Sequence, residues 1–79
     1  MDNFMFPITI RLFAELQDGR FTQQERMVAE NITVRDIVRD LKILDHEFGI
    51  ALVNKKVVDL NYVVKQGETL SLYPQIGGG

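Results

Sequence analysis

Thr33-Val34-Arg35-Asp36-Ile37-Val38-Arg39-Asp40-Leu41-Lys42-Ile43-Leu44, residues 33–44, is the stretch on which the fold turns. Val34, Ile37, Val38 and Leu41 recur at i, i+3, i+4 and i+7, which makes one apolar stripe along a helix. Arg35, Asp36, Arg39 and Asp40 take the opposite side. Thr33 stands just before the stripe and Asp36 three residues later. That is the spacing of a capping box, in which each side chain accepts the other residue's backbone N–H. The helix is expected from Thr33 to about Leu44, and Gly49 lies too far on to cap it. A single stripe needs a sheet face to bury it, so the layers should be a mixed sheet with one helix across it.

The flanks supply strands. In residues 6–13, Phe6, Ile8, Ile10 and Leu12 alternate with Pro7, Thr9, Arg11 and Phe13, the period of a half-buried strand. Pro7 suits a strand's start, because it lacks a backbone donor. Asp18-Gly19 signals a turn, and Arg20 to Glu30 reads as a polar return strand with one wet face. Ile50 to Val53 reads as a short buried strand. Asn54-Lys55 reads as a tight turn into Lys56-Val57-Val58. Gln66-Gly67-Glu68 is a further turn, with Gly67 free to take positive φ. Thr69 to Tyr73 is the last strand, with Leu70 and Leu72 on one side and Thr69, Ser71 and Tyr73 on the other; Pro74 should end it.

Composition narrows the function. The chain has 79 residues, enough for one domain, with 46% hydrophobic residues to build a core. It has no cysteine and one histidine, His46, so disulfides, thiolate metal sites, a cysteine nucleophile and a histidine metal cluster drop out, and no metal is expected. The net charge is −2 with no basic stripe, which argues against nucleic acid. No apolar run approaches the ~20 residues of a membrane span. The acidic start Met1-Asp2-Asn3 lacks the basic region of a signal peptide. A cytoplasmic protein with no membrane partner is expected. His46, between Asp45 and Glu47, reads as a solvated loop residue; Asp36 and Asp40 alternate with arginines and read as a solvated helix face; Lys55 and Lys56 read as surface lysines at a turn.

The chemistry sits in the tail. The sequence closes on Tyr73-Pro74-Gln75-Ile76-Gly77-Gly78-Gly79. Three consecutive glycines form a thin thread that costs roughly 1–2 kcal/mol per residue to order and adds nothing to a core. A glycine-rich end by itself reads as a disordered terminus. A narrow enzyme channel would use the same thread, since only glycine lets the backbone enter deeply with an unhindered carboxylate. Residues 1–74 are therefore expected to form the domain and 75–79 a flexible tail.

The last third of the chain, Ala51-Leu52-Val53-Asn54-Lys55-Lys56-Val57-Val58 through Gly67-Glu68-Thr69-Leu70-Ser71-Leu72-Tyr73-Pro74-Gln75-Ile76-Gly77-Gly78-Gly79, resembles the MoaD/ThiS family of sulfur carriers, and within it the small subunit of molybdopterin synthase. A Val-Asn turn after a central strand, a turn glycine and acidic residue before the last strand, and the aromatic-proline-x-aliphatic-small-Gly-Gly ending carry the likeness. Arg11-Leu12-Phe13-Ala14-Glu15-Leu16 is similar to that family's first strand and following loop, while Gly19 to Gly49 matches in pattern only.

The resemblance implies an α+β fold of the β-grasp, ubiquitin-like kind, with a mixed four- to five-stranded sheet and one main helix. It implies a carrier rather than an enzyme. An E1-like adenylating enzyme would activate the carboxylate of Gly79, and sulfur transfer would turn the glycyl adenylate into a thiocarboxylate. No cofactor is bound in this scheme; the adenylate and thiocarboxylate are covalent states of the chain. The acceptor would be a large synthase subunit or another sulfur-accepting enzyme. Gly78, Gly77 and Ile76 carry over as the part that enters the channel. Phe13, Val57 and Tyr73 carry over as the partner-binding face. Phe13 and Tyr73 also lie on the parity opposite to the core residues of their strands, so they should stand exposed. The Tyr-Pro pair favours molybdopterin (Mo/W cofactor) biosynthesis. A carrier of the thiazole/thiamine or another pathway, a protein modifier joined to lysines through Gly79, and a plain β-grasp binding module are the competing readings.

Overall fold

Alternation decides the first strand. β1 (Met5–Leu12) buries Phe6, Ile8, Ile10 and Leu12 and turns Met5, Pro7, Thr9 and Arg11 to the other side. The computed structural model describes residues 4–76. In it β1 pairs antiparallel with β2 (Gln23–Ala29) and parallel with β5 (Thr69–Pro74). β3 (Phe48–Val53) pairs antiparallel with β5 and with β4 (Lys56–Val58). The sheet has five strands in the order β2-β1-β5-β3-β4. One helix, α1 (Val34–Asp40), crosses it, and the arrangement is the ubiquitin-like β-grasp.

The core lies between α1 and one face of the sheet. Val34, Ile37, Val38 and Leu41, the four residues of the expected stripe, are all buried with Ile8, Ile10, Leu12, Ala51, Val53, Leu70 and Leu72. Each Val, Leu or Ile side chain among them contributes about 1.5–3 kcal/mol on burial. Pro7 fits because its carbonyl faces away from β2 and accepts the Gly67 N–H at 2.9 Å, so the β1–β2 ladder loses no donor there. Among the described residues no buried side-chain polar atom lacks a hydrogen-bond partner.

The helix start is fully accounted for. Thr33 Oγ1 accepts the Asp36 N–H at 3.2 Å and Asp36 Oδ2 accepts the Thr33 N–H at 3.0 Å, the expected capping box. The Val34 and Arg35 N–H groups donate to the Tyr62 and Leu60 carbonyls, each at 3.0 Å, so the 60–62 segment satisfies donors that a helix terminus leaves over.

The helix ends earlier than expected, at Asp40 rather than near Leu44. Lys42 takes a left-handed φ of 60°. Its N–H donates to the Arg39 carbonyl at 2.9 Å and the Ile43 N–H to the Val38 carbonyl at 3.1 Å. This is a Schellman closure with lysine where glycine is usual, which is why no glycine marked it. Ile43 then folds back into the core, while Leu44 is exposed.

Other expectations shift as well: β3 begins at Phe48 rather than Ile50, and β5 runs through Pro74, which pairs with Phe48, rather than stopping at Tyr73. The return strand begins at Gln23, not Arg20, because the Arg20 N–H still donates to the Gln17 carbonyl at 2.9 Å and so belongs to the turn. A short 3-10 helix, Ala14–Gln17, occupies the loop after β1 and buries Leu16, a feature that alternation did not reveal. Residues 50–53 are not a wholly buried run: Ala51 and Val53 are buried, but Ile50 is exposed and Leu52 half-buried, since only one face of β3 meets the helix. The turns hold as read. Gly19 and Gly67 have φ of 70° and 79°, and Asn54 and Lys55 both have positive φ, as the tight β3–β4 hairpin requires.

Candidate functional site

The sheet face away from α1 carries no second layer among the described residues, and its rows can be read from the register. Phe13 continues β1 by donating its N–H to the Leu72 carbonyl at 3.2 Å. Its ring stacks on Tyr73, with centroids 4.3 Å apart and planes 5° from parallel. Tyr73 pairs in turn with Ile50. In the next row Arg11 pairs with Ser71, Ser71 with Leu52, and Leu52 with Val57. The Arg11 guanidinium carbon lies 5.2 Å from the centre of the Phe13 ring, within cation–π range. The result is an apolar patch of Phe13, Tyr73, Ile50, Leu52 and Val57 with one cation at its margin.

Phe13, Val57 and Tyr73 thus share one face. Their exposure differs from expectation: Val57 is 68% exposed, whereas Phe13 and Tyr73 are half-buried because they cover each other. Sequence reading missed Ile50, 47% exposed, by assigning it to a buried run. The parity of β3 against Ala51 was the signal that would have found it.

The patch runs into the base of the tail. A groove of about 630 Å³ is lined by Phe13, Ile50 and Tyr73 on the patch side and by Pro74, Gln75 and Ile76 on the tail side. Ile76 is 91% exposed. Gly77, Gly78 and Gly79 lie outside the described residues.

Two further residues gather at that base. The Gln75 N–H donates to the Glu47 carbonyl at 2.9 Å, one residue past the end of β5. Arg20 holds the neighbouring loops: its guanidinium donates to the carbonyls of Leu16, Leu41 and Lys42 at 3.0, 3.1 and 3.0 Å and pairs with Glu47 Oε1 at 3.3 Å. Glu47 Oε1 also accepts the Leu44 N–H at 2.9 Å. That backbone bond first, and the Arg20 charge after it, hold the Glu47 carboxyl below the ordinary glutamate range. Nothing in local sequence pattern joins Arg20 to Glu47.

Among the described residues no three His, Cys, Asp or Glu side chains are grouped to hold a metal, and no helix is long and apolar enough to cross a membrane. The site therefore offers a surface and a tail base.

The model of the ThiS family matches residues 10–79. The chain belongs to the ThiS family. The match takes in the Phe13–Tyr73 face and the closing glycines alike, and it makes the protein one of a family of small sulfur carriers with the ubiquitin-like fold. No curated protein sequence matches this ThiS-family chain. Solved structures resemble it in fold. The solution structure of the Haloferax volcanii HVO 2177 protein superposes with a TM-score of 0.79 at 22% identity, covering 100% of this chain and 92% of that one. The Haloferax volcanii small archaeal modifier protein 1 gives a TM-score of 0.70 at 21% identity, with 90% and 99% covered. A complex of subunits 1 and 2 of the molybdopterin-converting factor from Helicobacter pylori gives 0.57 at 18% identity, with 94% and 100% covered. At these identities the likeness is one of fold.

Proposed function

We propose that this chain carries sulfur on the carboxylate of Gly79 and delivers it in molybdopterin biosynthesis. The observation that carries the reading is the placement of the Tyr73-Pro74-Gln75-Ile76 segment: β5 runs beside an open apolar patch and hands the chain directly to the glycine thread. A partner that covers the patch would receive the thread in a fixed place. An E1-like enzyme supplies ATP; the Gly79 carboxylate oxygen attacks the α-phosphorus and pyrophosphate leaves. A sulfide-level nucleophile then attacks the acyl carbon and expels AMP, leaving the thiocarboxylate. Phe13, Tyr73 and Val57 dock the partner, and Ile76, Gly77 and Gly78 occupy its channel. The cytoplasm is where such a carrier would meet its activating enzyme. A partner corresponding to subunit 2 of the Helicobacter pylori complex is the proposed acceptor.

The test is the intact mass of the chain after incubation with ATP, a sulfide source and the E1-like enzyme of its own genome. A product heavier by the difference between sulfur and oxygen is expected. Its conversion back to the carboxylate by a molybdopterin synthase large subunit, with sulfur gained by the pterin precursor, assigns the pathway. Isopeptide links from Gly79 to lysines with no thiocarboxylate would replace the sulfur role with that of a modifier.

A further inference from the structure

The sulfur-carrier reading leaves open what directs the tail, and the base of the tail holds an answer. β3 and β5 pair Phe48 with Pro74 and Ile50 with Tyr73, so Gly49 is the extra residue of a bulge. Its bare α-carbon lies against the β5 backbone. A Cβ at Gly49 would collide with the Pro74 carbonyl oxygen and stand 2.7 Å from the Pro74 carbonyl carbon and 2.9 Å from the Gln75 nitrogen. All three atoms are backbone, so no side-chain rotation relieves the clash. Two residues earlier, the Glu47 carbonyl takes the Gln75 N–H at 2.9 Å. Among the described residues, Ile76 makes no further backbone hydrogen bond. Glu47, just before β3, is held in turn by Arg20, which also donates to the carbonyls of Leu16, Leu41 and Lys42.

We propose that Glu47 and Gly49 form a seat for the base of the tail, a positioning device that sets the direction in which Ile76 and the residues beyond it leave β5. The proposal rests on the sulfur-carrier reading and adds a division of labour to it. The Phe13–Tyr73 patch governs how tightly the activating enzyme is held. The seat governs where the carboxylate arrives once it is held. An unseated tail must search for the channel, and a reacting group displaced by about 1 Å can lose up to about 100-fold in rate.

Two measurements on the full chain test this. The first is amide hydrogen exchange by NMR on the protein alone. Gln75 should be protected in the parent and exchange freely in Gly49→Ala, while the Leu72 amide stays protected in both. The second is ATP–pyrophosphate exchange with the E1-like enzyme of the same genome. Gly49→Ala should lower kcat about 10- to 100-fold and leave KM for the chain within about threefold, whereas Tyr73→Ala should raise KM. A purely structural role for Gly49 would not split kcat from KM in that way. If Gly49→Ala does not fold, Gln75→Pro removes the donated N–H from outside the core, and the same fall in kcat is expected. A Gln75 amide unprotected in the parent overturns the seat whatever the charging assay gives. Protection lost with kcat unchanged overturns its positioning role. A parent chain that is never adenylated overturns the carrier reading, and the positioning role with it, even where Gln75 is protected.

Discussion

The Phe13 and Tyr73 rings lie parallel on the open face of the sheet, 4.3 Å between centroids, although the two residues are far apart in the chain. Neither ring reaches the core, where Leu12 and Leu72 beside them are fully buried. Tyr73→Ala should therefore cost about 0.5–1.5 kcal/mol for the ring pair plus a smaller term for its half-buried area, well short of a core truncation. Binding to the activating enzyme should weaken by ~2 kcal/mol or more, roughly 30-fold in Kd, as for a central interface aromatic. Titration calorimetry beside urea denaturation checks both numbers. Loss of folding with binding intact in the folded fraction would remove the docking face.

Leu72 supplies the opposite case on the same strand. It has no exposed surface and sits among Ile10, Leu12 and the α1 stripe. Leu72→Ala should cost ~2–5 kcal/mol, read as a shift in the urea midpoint with an unchanged slope. In a domain this small that is a large part of the whole stability.

Lys42 ends α1 in a left-handed conformation, with φ of 60°. An L-residue there costs roughly 1 kcal/mol that glycine does not, so Lys42→Gly should raise stability by up to about 1 kcal/mol. The Arg20 contact should survive, because it is made to the Lys42 carbonyl. Thermal denaturation of the two proteins decides it; a destabilised glycine variant would mean that the Lys42 side chain has a role of its own.

The capping box gives a pH prediction. The Thr33 backbone N–H first, and its hydroxyl contact second, hold the Asp36 carboxyl below the ordinary aspartate range. Its folded pKa is depressed, so its contribution is complete above about pH 4, the unfolded value, and is lost as pH falls through the lower folded value. Urea midpoints at pH 7 and pH 3 should differ less in Asp36→Asn than in the parent. Thr33→Ala should cost about 1 kcal/mol at pH 7. An identical acid response in Asp36→Asn and the parent would show that the carboxylate adds nothing at this cap.

The thread is tested without reference to the fold. Adding one residue after Gly79, or deleting Gly79, should abolish adenylation while the urea midpoint stays at the parent value. Gly78→Ala should charge more slowly than Gly77→Ala, because a Cβ nearer the reacting carboxylate obstructs a narrow channel and restricts φ. Matching rates for the two variants and the parent would exclude a tight channel.

Periodic and local features were legible in the sequence. Each of Phe6, Ile8, Ile10, Leu12, Leu70 and Leu72 faces the core as its parity requires, and the Thr33–Asp36 box closes as its spacing requires. These depend on neighbours one to four residues away, and such geometry is the same wherever the segment lies. The glycine thread was equally plain, since composition alone marks it. Tertiary structure decided the rest. Lys42 carries no breaker signal; it ends the helix because Ile43 gains burial by turning back to the core. Ile50 joins the binding patch because β3 shows only one face to α1 and pairs Ile50 with Tyr73. Gly49 is needed at its position only because the Pro74 and Gln75 backbone passes against it, some twenty-five residues further along the chain. Arg20 meets Glu47 across a similar separation. A local pattern cannot encode which distant backbone will lie alongside a residue; that is settled when the strands take the order β2-β1-β5-β3-β4 and set the first and last strands side by side within one sheet.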